Sequence, residues 1–338
     1  MKVFQIEGDW GMEHLKLSTR PDPKPGPGQV LLRMKASSLN YRDLVVPMRG
    51  YGQFTGNLPL IPISDGVGEV VEVGAGVTRV KVGDRCCPMF NQHWISGEPS
   101  MERIATGSLG GPIDGTMAEF MCLPQDGVVK APAHLSDIEA ATLPCAALTA
   151  WSALVTYDRL GPSSRVLVQG TGGVALFALQ FAKIMGCHVT VISSSDEKIA
   201  RVKQMGADAA INYAKVPEWY KATRDITAGQ GYDHILELGG EKTLSQSLRC
   251  VRPGGTLSMI GVLSGGAMSA PLGLVVTRQV RLQGITVGHR DGMEAMVRAI
   301  SQHGLKPVID KVFAFGELKE AMAHLKSGAH FGKICIQH

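Results

Sequence analysis

The chain has 338 residues, of which 44% are apolar and 19% charged, and this length is more than a single hydrophobic core usually accommodates. The formal net charge of +4 comes from 34 basic and 30 acidic residues without a long run of either sign, so no nucleic-acid or membrane partner is expected. No apolar segment reaches membrane-spanning length and the first residues lack a signal-peptide core, so we expect a cytoplasmic protein.

The first part of the chain, to about residue 123, has the pattern of a β-rich, barrel-like domain. Short alternating segments rich in β-branched residues, such as 29–35 and 67–73, are separated by Gly and Pro. A helical stretch is predicted next, over residues 137–157.

From residue 165 onward, predicted strands and helices alternate, which indicates a doubly wound parallel sheet. Two further helices are predicted near 291–303 and 317–327, and a final strand over 332–337 is expected to rejoin the first domain. The predicted strands of the sheet are 165–169, 188–192, 209–212, 232–237, 256–260 and 281–287.

The segment from Gly170 to Ala175 fits G-x-G-x-x-G/A between a strand and an apolar helix, the context of a dinucleotide-binding turn. The glycines permit a tight turn and close approach to a pyrophosphate, which the helix amino terminus then meets with free N–H groups. The alternative is a glycine-rich turn used only for packing. The predicted contact residues are Gly170, Thr171, Gly172, Gly173 and Val174.

The end of the second strand of this sheet distinguishes NAD(H) from NADP(H). NAD enzymes usually carry an acid there to bind the ribose 2′-hydroxyl, but this chain has Ser193. Hydroxyls of Ser193 and Ser194 and the cation of Lys198 suit a 2′-phosphate, so NADP(H) is favoured over NAD(H). The alternative is that these serines only cap the next helix and that Lys198 is a solvated surface charge.

Ligands of such sheets bind at the carboxyl ends of the strands. Leu238 and Gly239 end one predicted strand, and Gly261 and Val262 follow the next, so all four are expected to line the nicotinamide ribose. Tyr213 is expected near the adenosine phosphate.

Several motifs resemble those of the medium-chain dehydrogenase/reductase superfamily, in family order and over nearly the whole chain. The resemblance implies an α/β protein with a GroES-like β-rich catalytic domain, residues 1–128 and 289–338, and a Rossmann cofactor domain, residues 129–288. It rests on the dinucleotide turn and on residues 38–44, 62–68, 77–85, 251–255 and 330–333.

Zinc enzymes of this superfamily hold a catalytic metal at three positions, which correspond here to Asn40, Ser64 and Cys145. One thiol does not make a zinc site, and residues 91–115, where the structural zinc lobe would fall, contain no cysteine. We therefore expect no zinc. Asparagine at position 40 and Ser-Asp at positions 64 and 65 resemble the quinone oxidoreductases.

The resemblance also implies roles for individual residues. Tyr51 is the candidate proton donor or carbonyl-orienting group, with a purely pocket-shaping wall as the alternative. Asn40 is expected beside the nicotinamide, bonded to ribose or to substrate oxygen, or else it only stabilises a turn. Thr149 is expected against the nicotinamide, or else bonded to its own helix.

In the terminal segment, Phe331 and Lys333 are expected to contact the cofactor, with the Lys333 ammonium on a phosphate. The alternative for Lys333 is a solvent-facing strand residue. For Arg42 and Asp43, which are next to each other in sequence, the plain interpretation is that they pair.

Hydride transfer without zinc requires an electron-poor acceptor, so the expected activity is NADPH-dependent reduction of a quinone or an α,β-unsaturated carbonyl. Two alternatives remain open: an NAD(P)-dependent alcohol dehydrogenase or carbonyl reductase, and an NADPH-binding sensor or crystallin-like protein with little turnover. The resemblance further implies a homodimer that pairs cofactor domains, with residues 255–263 as the expected sheet edge.

Overall fold

A computed structural model describes residues 1–158, 160–267 and 270–338. The chain forms two compact units, the first from Met1–Leu148 with Val287–His338 and the second from Thr149–Thr286. Residues 129–148, which the sequence analysis assigned to the cofactor domain, lie in the first unit.

The strands follow the predicted positions closely in most of the chain. The predicted strand at 256–260 begins earlier, and the one predicted at 281–287 ends at Gly284. The strands are β1 (Lys2–Ile6), β2 (Leu15–Thr19), β3 (Gln29–Ser38), β4 (Asp65–Val73), β5 (Arg85–Pro88), β6 (Phe120–Pro124), β7 (Val128–Lys130), β8 (Arg165–Gln169), β9 (His188–Ser193), β10 (Ala209–Asn212), β11 (Tyr232–Glu237), β12 (Val251–Met259), β13 (Arg281–Gly284), β14 (Ile309–Ala314) and β15 (Lys333–Gln337).

The predicted helical stretch over 137–157 consists of short α-helical and π-helical turns. In the part of the chain that the structure describes, no helix is both long and apolar enough to cross a membrane. The α-helices are α1 (Arg42–Val45), α2 (Met101–Ala105), α3 (Asp137–Ala140), α4 (Leu148–Trp151), α5 (Gly173–Ile184), α6 (Asp196–Gln204), α7 (Trp219–Ile226), α8 (Leu244–Cys250), α9 (Leu272–Thr277), α10 (Arg290–His303) and α11 (Leu318–Ser327).

The first unit contains a seven-stranded sheet in the order β14-β15-β3-β4-β5-β7, with β6 also paired to β3. The predicted return of the last strand is confirmed, because β15 pairs antiparallel with β3 and aligns Cys335 with Ser38. Alternate residues of β3, including Val30 and Leu32, are fully buried, as expected for a strand with one face on the core. This arrangement brings residue 333 beside the segment that follows β3.

The second unit is built on a six-stranded sheet in the order β10-β9-β8-β11-β12-β13, and every pairing in it is parallel. Chain order reverses direction between β8 and β11, so the carboxyl ends of these two strands lie at the switch point where such sheets bind ligands. The predicted doubly wound parallel sheet is confirmed.

The prediction that residues 255–263 form a sheet edge is wrong. Strand β12 is paired on both sides, with β11 and with β13, and β13 is the edge strand. The four residues of β13 were predicted to form a strand. The spacing of strands along the sequence does not show which strand pairs with which, so it could not predict that β13 pairs with the outer side of β12.

Candidate functional sites

The dinucleotide turn lies between β8 and α5, as its motif predicts. Gly170 has φ 78°, a conformation that glycine adopts without strain, and its N–H donates to Ile192 O at 2.7 Å. Gly172 precedes the first turn of α5 and provides no side-chain cap, so the N–H groups of that turn can meet an anionic group. The backbone here therefore fits a dinucleotide phosphate.

At the ends of β9 and β10, two of the predicted cofactor residues lie together. The backbone N–H of Tyr213 donates to Ser193 O at 3.0 Å, and the Tyr213 ring is exposed while Ser193 is buried. Ser195, not Ser193 or Ser194, caps α6 by accepting from the N–H of Lys198 at 3.3 Å. The serine that caps the helix is therefore not one of the two serines that were predicted to contact the cofactor.

Two buried polar side chains that were not predicted organise the turn after β11. The Glu237 carboxylate accepts from the N–H groups of Gly239 at 3.1 Å and Gly240 at 3.0 Å. Gln169, at the end of β8, donates to Glu237 Oε2 at 2.8 Å and accepts from the N–H of Leu238 at 3.1 Å. The sequence did contain a signal for these residues, because each is a polar residue at the last position of a buried strand. These contacts fix the backbone of two predicted cofactor residues.

The turn after β12 is hydrogen-bonded to the end of β11. The N–H of Gly261 donates to Glu237 O at 3.1 Å, and a Cβ at position 261 would lie 2.1 Å from Leu238 O. Val262 beside it is exposed. The structure therefore brings together the predicted residues Leu238, Gly239, Gly261 and Val262 at the carboxyl end of the sheet.

The first unit holds a buried polar cluster around Asn40. The ammonium of Lys333 donates to Leu39 O and, at 2.6 Å, to Asn40 Oδ1. Asn40 Nδ2 lies 3.5 Å from Ser64 Oγ, which in turn donates to Asp65 Oδ1 at 2.9 Å. The N–H of Cys145 donates to Asp65 Oδ2 at 3.1 Å. All three positions aligned with zinc ligands therefore take part in one hydrogen-bonded network.

Burial governs the electrostatics of this cluster. It raises the pKa of Asp65, and the nearby Lys333 charge and hydrogen bonds from Asn40 and Ser64 partly oppose the rise. The pKa of Asp43, a fully buried carboxyl, is raised to about 7 by burial, with the Arg42 charge as the largest opposing effect. Burial also raises the pKa of the Cys145 thiol, which favours its protonated form.

Tyr51 lies at the edge of this unit and is 44% exposed. The Arg42 guanidinium carbon is 6.0 Å from the centre of the Tyr51 ring and 4.8 Å from that of Phe90. Burial raises the pKa of Tyr51, so the phenol is protonated at neutral pH and can donate a hydrogen bond. The ring is held near a cation and keeps an accessible surface.

The interpretation that Arg42 pairs with Asp43 is wrong, because these two described side chains form no salt bridge with each other. Arg42 donates instead to Leu109 O at 2.7 Å and Gly111 O at 3.0 Å, which ties α1 to the loop before β6. Asp43 Oδ2 accepts from the N–H of Asn40 at 2.7 Å. Both residues therefore position the segment that carries Asn40 and Tyr51.

The side chains at the three metal positions do not fit a zinc ion. An amide, a hydroxyl and a thiol occupy them, and the Lys333 ammonium is already bonded to the amide oxygen. Within residues 1–158, 160–267 and 270–338, no group of three or more His, Cys, Asp or Glu side chains is placed to hold a metal. The donor chemistry of the cluster is that of a hydrogen-bonding site.

Three further predicted residues, Thr149, Phe331 and Lys333, are buried. Thr149 lies in α4, and Phe331 donates its N–H to Asp310 Oδ1 at 2.9 Å. Lys333 is 3% exposed, so the alternative of a solvent-facing strand residue is wrong. Its expected contact with a cofactor phosphate stays a prediction.

Comparison with known proteins identifies the family. Residues 26–133 match the family described as "Alcohol dehydrogenase GroES-like domain", and residues 173–302 match "Zinc-binding dehydrogenase". The chain belongs to the medium-chain dehydrogenase/reductase superfamily and is an oxidoreductase of that superfamily, as the motifs predicted.

Three similar proteins cover nearly all of the chain. A "Zinc-type alcohol dehydrogenase-like protein" of Schizosaccharomyces pombe is 42% identical over 97% of this chain and 96% of its own. A crystal structure of a putative alcohol dehydrogenase from Sinorhizobium meliloti has a TM-score of 0.94 and 44% identity, covering 100% of this chain and 98% of that one. The "Quinone-oxidoreductase QR1, chloroplastic" of Triphysaria versicolor is 30% identical, with coverage of 100% and 98%.

Proposed function

We propose that the protein is a zinc-independent, NADPH-dependent reductase that transfers hydride to a quinone or an α,β-unsaturated carbonyl. The observation that carries this proposal is the polar cluster at the metal positions. Asn40 and Ser64 replace metal ligands, and the Lys333 ammonium bonds to Asn40 Oδ1. An acceptor reduced at such a site has to be electron-poor in itself, because no Lewis acid polarises it.

The first unit supplies groups that suit the acceptor's oxygen. Tyr51 carries a protonated phenol on a partly exposed ring, and Asn40 presents an amide in the same unit. Two neutral donors directed at a developing enolate or hydroquinone oxygen stabilise the charge that forms there. Tyr51 then delivers the proton in enone reduction, whereas a hydroquinone can take its protons from solvent.

The second unit supplies the groups that hold the cofactor. The Gly170–Gly172 turn and the first turn of α5 would bind the pyrophosphate, and the residues after β11 and β12 would line the nicotinamide ribose. When bound, the reduced dinucleotide supplies the hydride. The absence of an acid at Ser193, together with the hydroxyl of Ser194 and the charge of Lys198, favours a 2′-phosphate, since a carboxylate there would repel it.

A second candidate function is an alcohol dehydrogenase or carbonyl reductase. The specific observation in its favour is the name of the relative that is 42% identical, a zinc-type alcohol dehydrogenase-like protein. A third possibility, an NADPH-binding protein with little turnover, would use the dinucleotide turn without the donors of the first unit.

The deciding experiment follows NADPH and NADH oxidation with a chelator present and with a quinone, an enone or a simple aldehyde as acceptor. We expect the quinone or the enone to be reduced, and NADPH to be used more efficiently than NADH. Reduction of the aldehyde alone, or activity lost on chelation together with about one bound zinc per chain, would establish the alcohol dehydrogenase function instead. Tight NADPH binding without turnover of any acceptor would favour the binding protein.

A further inference from the structure

Lys333 is a buried cation that donates hydrogen bonds to two oxygen atoms. It opens β15, where its backbone N–H donates to Val308 O at 2.9 Å, and its side chain is 3% exposed. Its ammonium donates to Leu39 O and to Asn40 Oδ1. Two of its three N–H donors are therefore used by the segment that carries Asn40.

These contacts determine which way the Asn40 amide faces. An ammonium group donates hydrogen bonds and accepts none, so it can only face the amide oxygen. The amide nitrogen is then directed to the opposite side, where its contact with Ser64 Oγ is long, at 3.5 Å. A hydrogen bond from Asn40 also reaches the Asp65 carboxyl, whose Oδ1 lies 2.9 Å from Ser64 Oγ, so one amide hydrogen can serve these two adjacent acceptors. Because an amide nitrogen carries two hydrogens, the second keeps the capacity to donate to a further acceptor.

The same contact changes the strength of the amide as a donor. A positive charge 2.6 Å from Oδ1 draws electron density toward the oxygen, and hydrogen bonds in a chain polarise one another in a low-dielectric setting. The effect passes from Lys333 through the amide to its N–H groups. Asn40 thus donates more strongly than an asparagine in water.

We propose that Lys333 is a positioning residue, which holds Asn40 with its amide nitrogen as a donor to the oxygen of the substrate. The inference rests on the proposed function and deepens it, because it names the residue that orients a donor toward the substrate oxygen on which charge develops. It replaces the expectation that Lys333 binds a cofactor phosphate. Burial raises the pKa of the neighbouring carboxyls of Asp43 and Asp65, and the charge of Lys333 partly opposes this rise in both.

The test is a double-mutant cycle of Lys333→Met and Asn40→Ala, with Lys333→Arg as the conservative variant. Steady-state kinetics with a quinone and an enone, the NADPH Kd from cofactor fluorescence, and thermal unfolding are measured on every variant. Lys311→Met is the matched control, because it removes an exposed lysine from the neighbouring strand β14.

We expect Lys333→Met to lower kcat about tenfold, less than the roughly 100-fold that follows loss of a whole oxyanion donor. The substitution has no further effect on kcat in the Asn40→Ala background, and the NADPH Kd changes by less than about twofold, which is small against the tenfold that 1.4 kcal/mol represents. Lys333→Arg, which also presents only donors, restores most of the activity.

Other results overturn the inference. A rise of about tenfold in NADPH Kd with kcat unchanged would assign Lys333 to the cofactor phosphate. An equal loss of kcat with and without Asn40, not restored by arginine, would leave Lys333 a purely structural role. If the wild-type protein oxidises an alcohol and reduces no conjugated acceptor, the proposed function fails, and the same cycle run with the alcohol still decides the role of Lys333. A wild-type protein active on neither substrate overturns both proposals.

Discussion

Tyr51 is the residue on which the proposed chemistry depends most directly. Its phenol is protonated at neutral pH and 44% of the side chain is exposed. We expect Tyr51→Phe to lower kcat for an enone by about 100-fold, because a proton has to be delivered to carbon or oxygen, and to affect a quinone much less. Stopped-flow measurement of single turnovers with each acceptor checks this expectation.

Tyr41 provides a matched control for that substitution, since it is a second phenol in the same unit and is 48% exposed. Tyr41→Phe should leave turnover of both acceptors unchanged. An equal and small effect of Tyr51→Phe on the enone and the quinone would mean that the ring only shapes the pocket.

Asp43 gives a prediction for the dependence of stability on pH. The folded protein holds this carboxyl with a pKa of about 7, above its ordinary value of 3.8, and Oδ1 is buried without a hydrogen-bond partner among the described residues. Between those two pH values the folded protein binds a proton that the unfolded chain has lost. The contribution of Asp43 to the free energy of unfolding therefore declines as pH rises through this window and stays lost above it.

Asp43→Asn removes this titration and keeps the shape of the side chain. The melting temperature of the variant minus that of the wild type should increase from about pH 5 to about pH 8. Differential scanning calorimetry at several pH values measures the difference, in which contributions from other titrating groups cancel. A difference that does not change with pH would show that Asp43 is ionised throughout.

At the scale of single elements, the turns after β11 and β12 are held at van der Waals distance. A methyl group at position 261 would lie 2.1 Å from Leu238 O, so the backbone has to move to accept it. We expect Gly261→Ala to destabilise the second unit by about 1–3 kcal/mol and to weaken NADPH binding. Urea unfolding and NADPH titration report the two effects.

Gly266 is the matched control for Gly261→Ala, because a Cβ there meets nothing within 4 Å. Gly266→Ala should leave both stability and NADPH affinity unchanged. If Gly261→Ala behaved like this control, the contact between the two turns would contribute nothing to the cofactor site.

The elements differ in how far the sequence predicted them. Strands β8 to β11 were predicted within a residue at most ends, because each is a short apolar run bounded by turn residues. The roles of Gln169 and Glu237 were missed, since the contact between them joins the ends of two strands that lie far apart in the sequence. Asn40, Ser64 and Cys145 were grouped through motif order, but the Lys333 ammonium at Asn40 depends on side-chain direction in β15.

At the scale of the whole molecule, a homodimer remains the expectation, with β13 as the sheet edge in place of residues 255–263. The helix before this edge, α9, exposes Leu272 and Val276 one turn apart, to 67% and 74%. Such apolar exposure is typical of a surface that another chain covers. We expect Leu272→Glu with Val276→Glu to convert a dimer to a monomer in light scattering.

Val216→Glu is the matched control for this change, since it adds one charge at an exposed apolar residue elsewhere in the same unit. It should leave the mass in solution unchanged. A wild-type protein with the mass of one chain would contradict the expectation, and so would a double variant that remains dimeric.

The first unit is assembled from both ends of the chain, and the second unit lies between them in sequence. During synthesis, residues 149–286 leave the ribosome before β15 exists, and domains generally fold as units as they emerge. The second unit can therefore complete its parallel sheet while β3 is paired with β4 and β6 but still lacks β15. Lys333 is made after the whole second unit, so Asn40 acquires its fixed orientation only after residues 149–286 have been translated.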